Sequence, residues 1–149
     1  MSDKFRYKES GYDERQTAVR GRAFKWAYIT LLVSLGIYCV TDGIWNWCVP
    51  FTGCASAISV SVIVMACICI DGDAYWLTNK NLVGQYVSFA LIGILNLGIA
   101  IAAAIDGTLV SEGRVQLAGA NLALSCAFVS LFIAALAHHA QLQQESDDD

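Results

Sequence analysis

Four long apolar runs separated by short polar breaks organise this chain, at 24–44, 55–70, 82–105 and 117–137. Crossing about 30 Å of hydrocarbon takes about 20 residues at a helical rise of about 1.5 Å each, so every run has roughly the length of one membrane crossing. Lipid offers no partner to an unpaired peptide group, which makes each crossing a helix. The breaks at 45–54, 71–81 and 106–116 are short. Consecutive helices are therefore expected to lie antiparallel, as neighbours in an up-down-up-down bundle. The expected fold class is all-α: an integral membrane protein of four transmembrane helices. Segment 1–22 is a basic head, 23–140 the membrane domain and 141–149 an acidic tail.

Composition supports the bilayer as solvent: of 149 residues 56% are hydrophobic, 15% are charged and one is proline. Charge reports sidedness. Of nine Lys and Arg residues, seven, Lys4, Arg6, Lys8, Arg15, Arg20, Arg22 and Lys25, lie before residue 26, ahead of the first run or at its very start. Basic residues flanking apolar spans stay in the cytosol, which predicts a cytosolic N-terminus and, after four crossings, a cytosolic C-terminus. The net charge of −4 owes much to Glu145 and Asp147 to Asp149 in the tail. No small-residue cleavage site follows the first run, so it is expected to be a retained anchor, not a removed signal peptide. Trp45 and Trp47 at one end of the spans, with Trp26, Tyr28, Tyr75 and Trp76 at the other, fall where interfacial aromatic belts sit.

Within the spans, Gly84, Ser88, Gly93, Gly98, Ala100 and Ala104, then Gly119, Ala123 and Ala127, place small residues about a turn apart. Such spacing lets helices approach closely in lipid, inside the bundle or against another copy or another membrane protein. Polar residues there are few. Asn96 and Asn121 are expected to make interhelical polar contacts, because an unpaired amide in hydrocarbon costs several kcal/mol, and Ser125 adds a hydroxyl. No acid, base or His lies at a span midplane, which argues against a pump or coupled transporter.

The six cysteines divide by depth. Cys39 and Cys126 read as small apolar residues. Cys48 and Cys54 flank a Pro- and Gly-containing turn in the first exoplasmic loop, an oxidising compartment, and are expected to form a disulfide. Cys67 and Cys69 lie near the cytosolic end of span two, a depth suited to palmitoylation; plain buried thiols are the alternative. His138 and His139 have no further ligand at metal-binding spacing, and placement at a helix C-terminus accounts for them. The chain carries no phosphate loop, nucleophile elbow or Asn-x-Ser/Thr sequon, so the expectation is a non-enzymatic protein without cofactor or metal. The basic residues Arg15, Arg20, Arg22 and Lys25 are expected to contact anionic lipid headgroups of the cytosolic leaflet, not nucleic acid.

The run Thr41-Asp42-Gly43-Ile44-Trp45-Asn46, then Cys48, Phe51, Cys54-Ala55 and a second span ending Ile70-Asp71, resembles the first half of the synaptogyrin and synaptophysin group of the MARVEL tetraspan family. Gln16-Thr17-Ala18-Val19-Arg20 is similar to that group's Gln-Thr-aliphatic-aliphatic-Arg element. Arg114, the small residues after it and Ser125 are similar to its entry into helix four. The resemblance implies a tetraspan of secretory or synaptic-type vesicles, acting in membrane organisation, vesicle trafficking or regulated exocytosis. Two alternatives remain open: a claudin-type junctional tetraspan at the plasma membrane, and a small channel or transporter subunit.

Overall fold

The computed structural model describes residues 13–75 and 82–147, and side chains within 86–140 of the second stretch together with Gly84. Lys4, Arg6, Lys8, Trp76, Lys80, Asp148 and Asp149 lie outside the described residues, and the side chains of Glu145 and Asp147 are likewise not described. Four helices carry the fold: α1 (Glu14–Trp45), α2 (Pro50–Asp71), α3 (Leu82–Ile105) and α4 (Ala118–Asp147). Between α3 and α4 stands a short hairpin of β1 (Val110–Ser111) and β2 (Arg114–Val115). Each helix is long and apolar enough to cross a membrane, and the chain is a multi-pass membrane protein on that basis.

The outer helices overrun their apolar segments. α1 begins ten residues before the first apolar run because Asp13 and Gln16 form a capping box: the Gln16 amide donates to the Asp13 carboxylate at 2.6 Å and the Asp13 amide to Gln16 Oε1 at 3.3 Å. These reciprocal bonds satisfy amides that the first turn would leave orphaned. At 32 residues α1 is about 48 Å long, well beyond the hydrocarbon thickness. The first loop shrinks to Asn46–Val49, since Pro50 already occupies the first turn of α2, where its missing amide costs nothing.

Close packing joins α1 to α2, α2 to α4 and α4 to α3. This corrects one expectation: among the described residues α2 and α3, though consecutive, do not form a closely packed pair. The ten-residue connection between them does not force adjacency, and α4 takes the place beside α2 instead.

The interior is built from small residues. Ala23, Ala27, Ala57, Ala66, Ala127 and Ala135 are buried, together with Thr52, Ser59, Ser61 and Ser125. Large side chains face outward: Ile37, Val40 and Ile94 are 60%, 63% and 65% exposed. Such a surface suits an apolar solvent, and small interior residues bring backbones close enough for dispersion to hold them in lipid.

Each packed pair also carries one hydroxyl clasp. Ser61 donates to the Ala27 carbonyl at 2.8 Å between α2 and α1, and Ser125 to the Gly93 carbonyl at 3.0 Å between α4 and α3. Thr52 of α2 donates at 2.8 Å to the Gln116 carbonyl, just before α4. Close approach is the precondition. A Cβ on Gly93 would stand 3.2 Å from Val129 Cγ2, and one on Gly119 would meet Val115 and lie 2.9 Å from Thr52 Cγ2.

Asn96 departs from its expected role. Its Nδ2 donates to the Ile92 carbonyl at 2.8 Å, within its own helix, because that carbonyl one turn back is the acceptor in reach. Asn121 is half-buried on α4, one turn before Ser125. Among the described residues, Ser61 and Ser125 make hydroxyl bonds to a neighbouring helix, their short side chains reaching its carbonyl where small residues let the helices meet.

Removing one clasp and overfilling one contact are expected to differ in size. Ser125→Ala loses about 0.6 kcal/mol, the average for an interhelical hydrogen bond in lipid, whereas Gly93→Leu loses about 1–3 kcal/mol by overpacking. Reversible unfolding in mixed micelles followed by circular dichroism measures both; equal losses would contradict the close-approach account.

Candidate functional site

Polar chemistry gathers at the two ends of the bundle. At the hairpin end, α1 finishes with Asn46 in the left-handed region (φ 49°, ψ 47°), its amide bonded to the Asp42 carbonyl at 2.7 Å. That reversal sends 47–49 back toward α2. Asp42 organises the turn: its carboxylate accepts from the Cys48 amide at 3.2 Å and from the Tyr38 hydroxyl at 3.4 Å. Thr41 Oγ1 accepts from Trp47 Nε1 at 3.1 Å, and the Trp47 ring meets Tyr38 edge-on at 6.3 Å and 78°.

The second half of this cap comes from the loop between α3 and α4. Glu112 (φ 53°) and Gly113 (φ 76°) both have positive φ, as a tight type I′ hairpin turn demands. The hairpin presents Val115, whose amide donates to the Trp47 carbonyl at 2.8 Å and whose carbonyl accepts from the Val49 amide at 2.9 Å. Arg114 Nη2 donates to the Cys48 carbonyl at 2.9 Å. Loops far apart in sequence are thus knitted into one small sheet over the helix ends. Beneath it, Tyr38, Thr41, Trp47, Gly53, Ser56 and Val60 border a cavity of about 210 Å³ between α1 and α2.

Cys48 and Cys54 are both free thiols, which corrects the expected disulfide. Cys48 is fully enclosed in the cap, whereas Cys54 rides exposed on α2, the helix having started four residues earlier. Asp42 and Arg114 provide the cross-loop restraint expected of a disulfide. Burial pushes the Cys48 thiol pKa up, and the nearby Asp42 charge adds to this; the hydroxyl of Tyr38, the charge of Arg114 and the amide of Gly53 act more weakly in the opposite sense.

The other end gathers three helices on the turn after α2. Gln16 Nε2 donates to the Asp73 carbonyl at 2.8 Å and Arg20 Nη1 to the Ala74 carbonyl at 3.3 Å. Val19 packs on Gly72. From α4, His138 Nε2 meets Asp73 Oδ1 at 2.7 Å. Asp73 itself takes φ +53°, a conformation that Asp tolerates better than most residues. His138 and His139 do not end a helix, since α4 continues to Asp147; His138 pairs with Asp73, and His139 lies edge-on to Tyr86 at 6.4 Å.

Among the basic residues singled out from sequence, Arg15, Arg22 and Lys25 are exposed on α1, while Arg20 is half-buried against the turn. Cys67 is exposed and Cys69 is buried, so acylation of Cys69 would require unpacking α2. Sequence reasoning missed Asp73 altogether, because nothing in its neighbours signals a partner 65 residues away. It also missed the capping role of Asp13, although the Asp13-x-x-Gln16 spacing carries that signal.

Arg114→Ala is expected to loosen the cap, leaving the Cys48 carbonyl without its charged donor at a cost of about 1–3 kcal/mol. In the parent protein, maleimide labels Cys54 readily and Cys48 slowly; in the variant Cys48 labelling accelerates, read by peptide mass spectrometry. Because burial raises its pKa, the Cys48 rate keeps climbing with pH beyond the point at which an ordinary thiol is fully ionised. Equal labelling of both cysteines in the parent protein would refute the enclosed arrangement.

Comparison with protein-family models, with curated proteins and with solved structures finds no match to this chain.

Proposed function

We propose that this chain is a non-enzymatic tetraspan of vesicle membranes, similar to the synaptogyrin and synaptophysin group of the MARVEL family, acting in membrane organisation and trafficking. The observation that carries the reading is where its family-like elements fall. The Thr41–Asn46 run builds the hairpin-end cap through Thr41 and Asp42, and Arg114 completes it. Gln16, Val19 and Arg20 hold the turn that follows Ile70-Asp71. The quoted motifs thus meet one another in pairs at opposite ends of the bundle, as parts of one architecture would.

The four-residue first loop and the short hairpin favour this reading over a claudin-type one, which needs enough extracellular chain for a sheet of several strands. Helix register supports the lipid contacts. With Ser61 opposite Ala27 and Asp73 beside Gln16, the apolar end of α2 at Ile68 to Ile70 lies level with the stretch of α1 around Arg20. A bilayer that covers the end of α2 has its boundary near Arg20, with Arg15 among the headgroups; Arg22 and Lys25 lie about 3 and 8 Å deeper, and their long side chains, directed toward the N-terminus of the helix, reach back to the headgroups. The excess of positive charge at this end supports a cytosolic orientation for it.

Two measurements test the proposal. A tagged copy viewed by immuno-electron microscopy is expected on small vesicles, and accumulation at cell contacts would overturn the vesicle assignment. Spin-labelled phosphatidylserine is expected to associate with the reconstituted protein in preference to phosphatidylcholine. Each exposed cation contributes up to about 1 kcal/mol near the surface, so the triple variant Arg15→Gln, Arg22→Gln, Lys25→Gln should lose most of that preference. An unchanged preference would remove these residues from the headgroup contact.

A further inference from the structure

Toward the end of the bundle that holds Asp73 and His138, α2 and α4 separate enough to leave a groove of about 420 Å³. Its walls are Cys67, Ile70, Ala134 and Ala137, and Asp71 and His138 stand at its outer rim. The two rim residues differ. His138 is committed to Asp73, whereas the exposed Asp71 carboxylate is engaged by none of the hydrogen bonds or ion pairs among the described residues. The groove is therefore apolar within and carries a carboxylate at its edge, and on the membrane-spanning reading its walls, from the ends of two spans, lie against the bilayer.

Volume and charge together define an occupant. An apolar cavity of about 150 Å³ takes up a benzene ring, so a groove of about 420 Å³ has room for a long stretch of one acyl chain of a membrane lipid. A carboxylate at headgroup depth gains most from a cation that also donates hydrogen bonds. A primary ammonium has three N–H donors and forms charge-assisted bonds with a carboxylate; a trimethylammonium has none. Among the described residues no lysine or arginine lines the groove to compete for Asp71 or to favour an acidic headgroup.

We propose that this groove is a binding site for a phosphatidylethanolamine-type lipid, with one acyl chain between α2 and α4 and the headgroup ammonium on Asp71. The proposal rests on the membrane-spanning reading but not on any role in trafficking. The site lies beside the clasp that joins α1, α2 and α4, so a lipid seated in it braces the gap where α2 and α4 diverge.

The test uses the full chain in nanodiscs of equal phosphatidylethanolamine and phosphatidylcholine, with retained lipid read by native mass spectrometry. An exposed ion pair of up to about 1 kcal/mol corresponds to about fivefold selectivity, so preferential retention of one phosphatidylethanolamine by about that factor is expected. Asp71→Asn should bring the ratio near one while helicity is unchanged, and Asp71→Glu should keep the preference. Equal retention of the two lipids by the parent protein overturns the proposal, as does a preference that survives Asp71→Asn. A hydroxylamine-labile acyl chain on Cys67 occupying the groove also overturns it. Failure of the chain to insert in nanodiscs overturns this proposal and the spanning reading together, whereas insertion without selectivity overturns this proposal alone.

Discussion

Close approach between helices with small interior side chains is the constraint on which the rest of this structure depends. In water, large apolar side chains would drive inward; in lipid the outside is as apolar as any core, and nothing is gained by burying leucine. What remains is dispersion between backbones and the few hydrogen bonds that proximity permits. The alanines of α1, α2 and α4 and the glycines at 93 and 119 supply the proximity. Ser61, Ser125 and Thr52 convert it into hydroxyl-to-carbonyl bonds, one for each packed pair.

The same constraint explains why the ends carry the specificity. Three helix contacts built from methyl groups and single hydroxyls tolerate sliding, since each small side chain resembles the next along the helix. Register is secured where polar groups of several elements meet. At one end Asp42, Thr41 and Arg114 bind two loops into a miniature sheet. At the other, the backbone of residues 73 and 74 receives α1, and the Asp73 side chain receives α4. Among the described residues α1 and α4 do not pack closely on each other, and that turn receives both.

This division bears on function. A bundle pinned at both ends but held in the middle by modest contacts is compatible with the membrane-organising role proposed above. Its large apolar side chains face outward and its basic residues Arg15, Arg22 and Lys25 are exposed, which is the arrangement the proposed lipid contacts require. Cys48, sealed within the cap by the Arg114 bond, contributes as a packed thiol and not as a cross-link.

The number of crossings, the ends of α3 and the excess of positive charge before the first crossing were legible in the chain, because each depends on local composition summed over about 20 residues. The apolar run places the start of α1 ten residues too late, at 24 instead of Glu14, although Asp13 and Gln16 carry a local capping signal for it. Helix order, the hydroxyl clasps, the fate of Asn96 and the separation of Cys48 from Cys54 were decided by the tertiary structure. Apolar periodicity in a lipid-facing helix does not say which side meets a neighbour, and a side chain bonds whichever group the packing brings within 3 Å or so. Asp73 illustrates the limit: its partners lie 57 and 65 residues away, and only the assembled bundle brings them together.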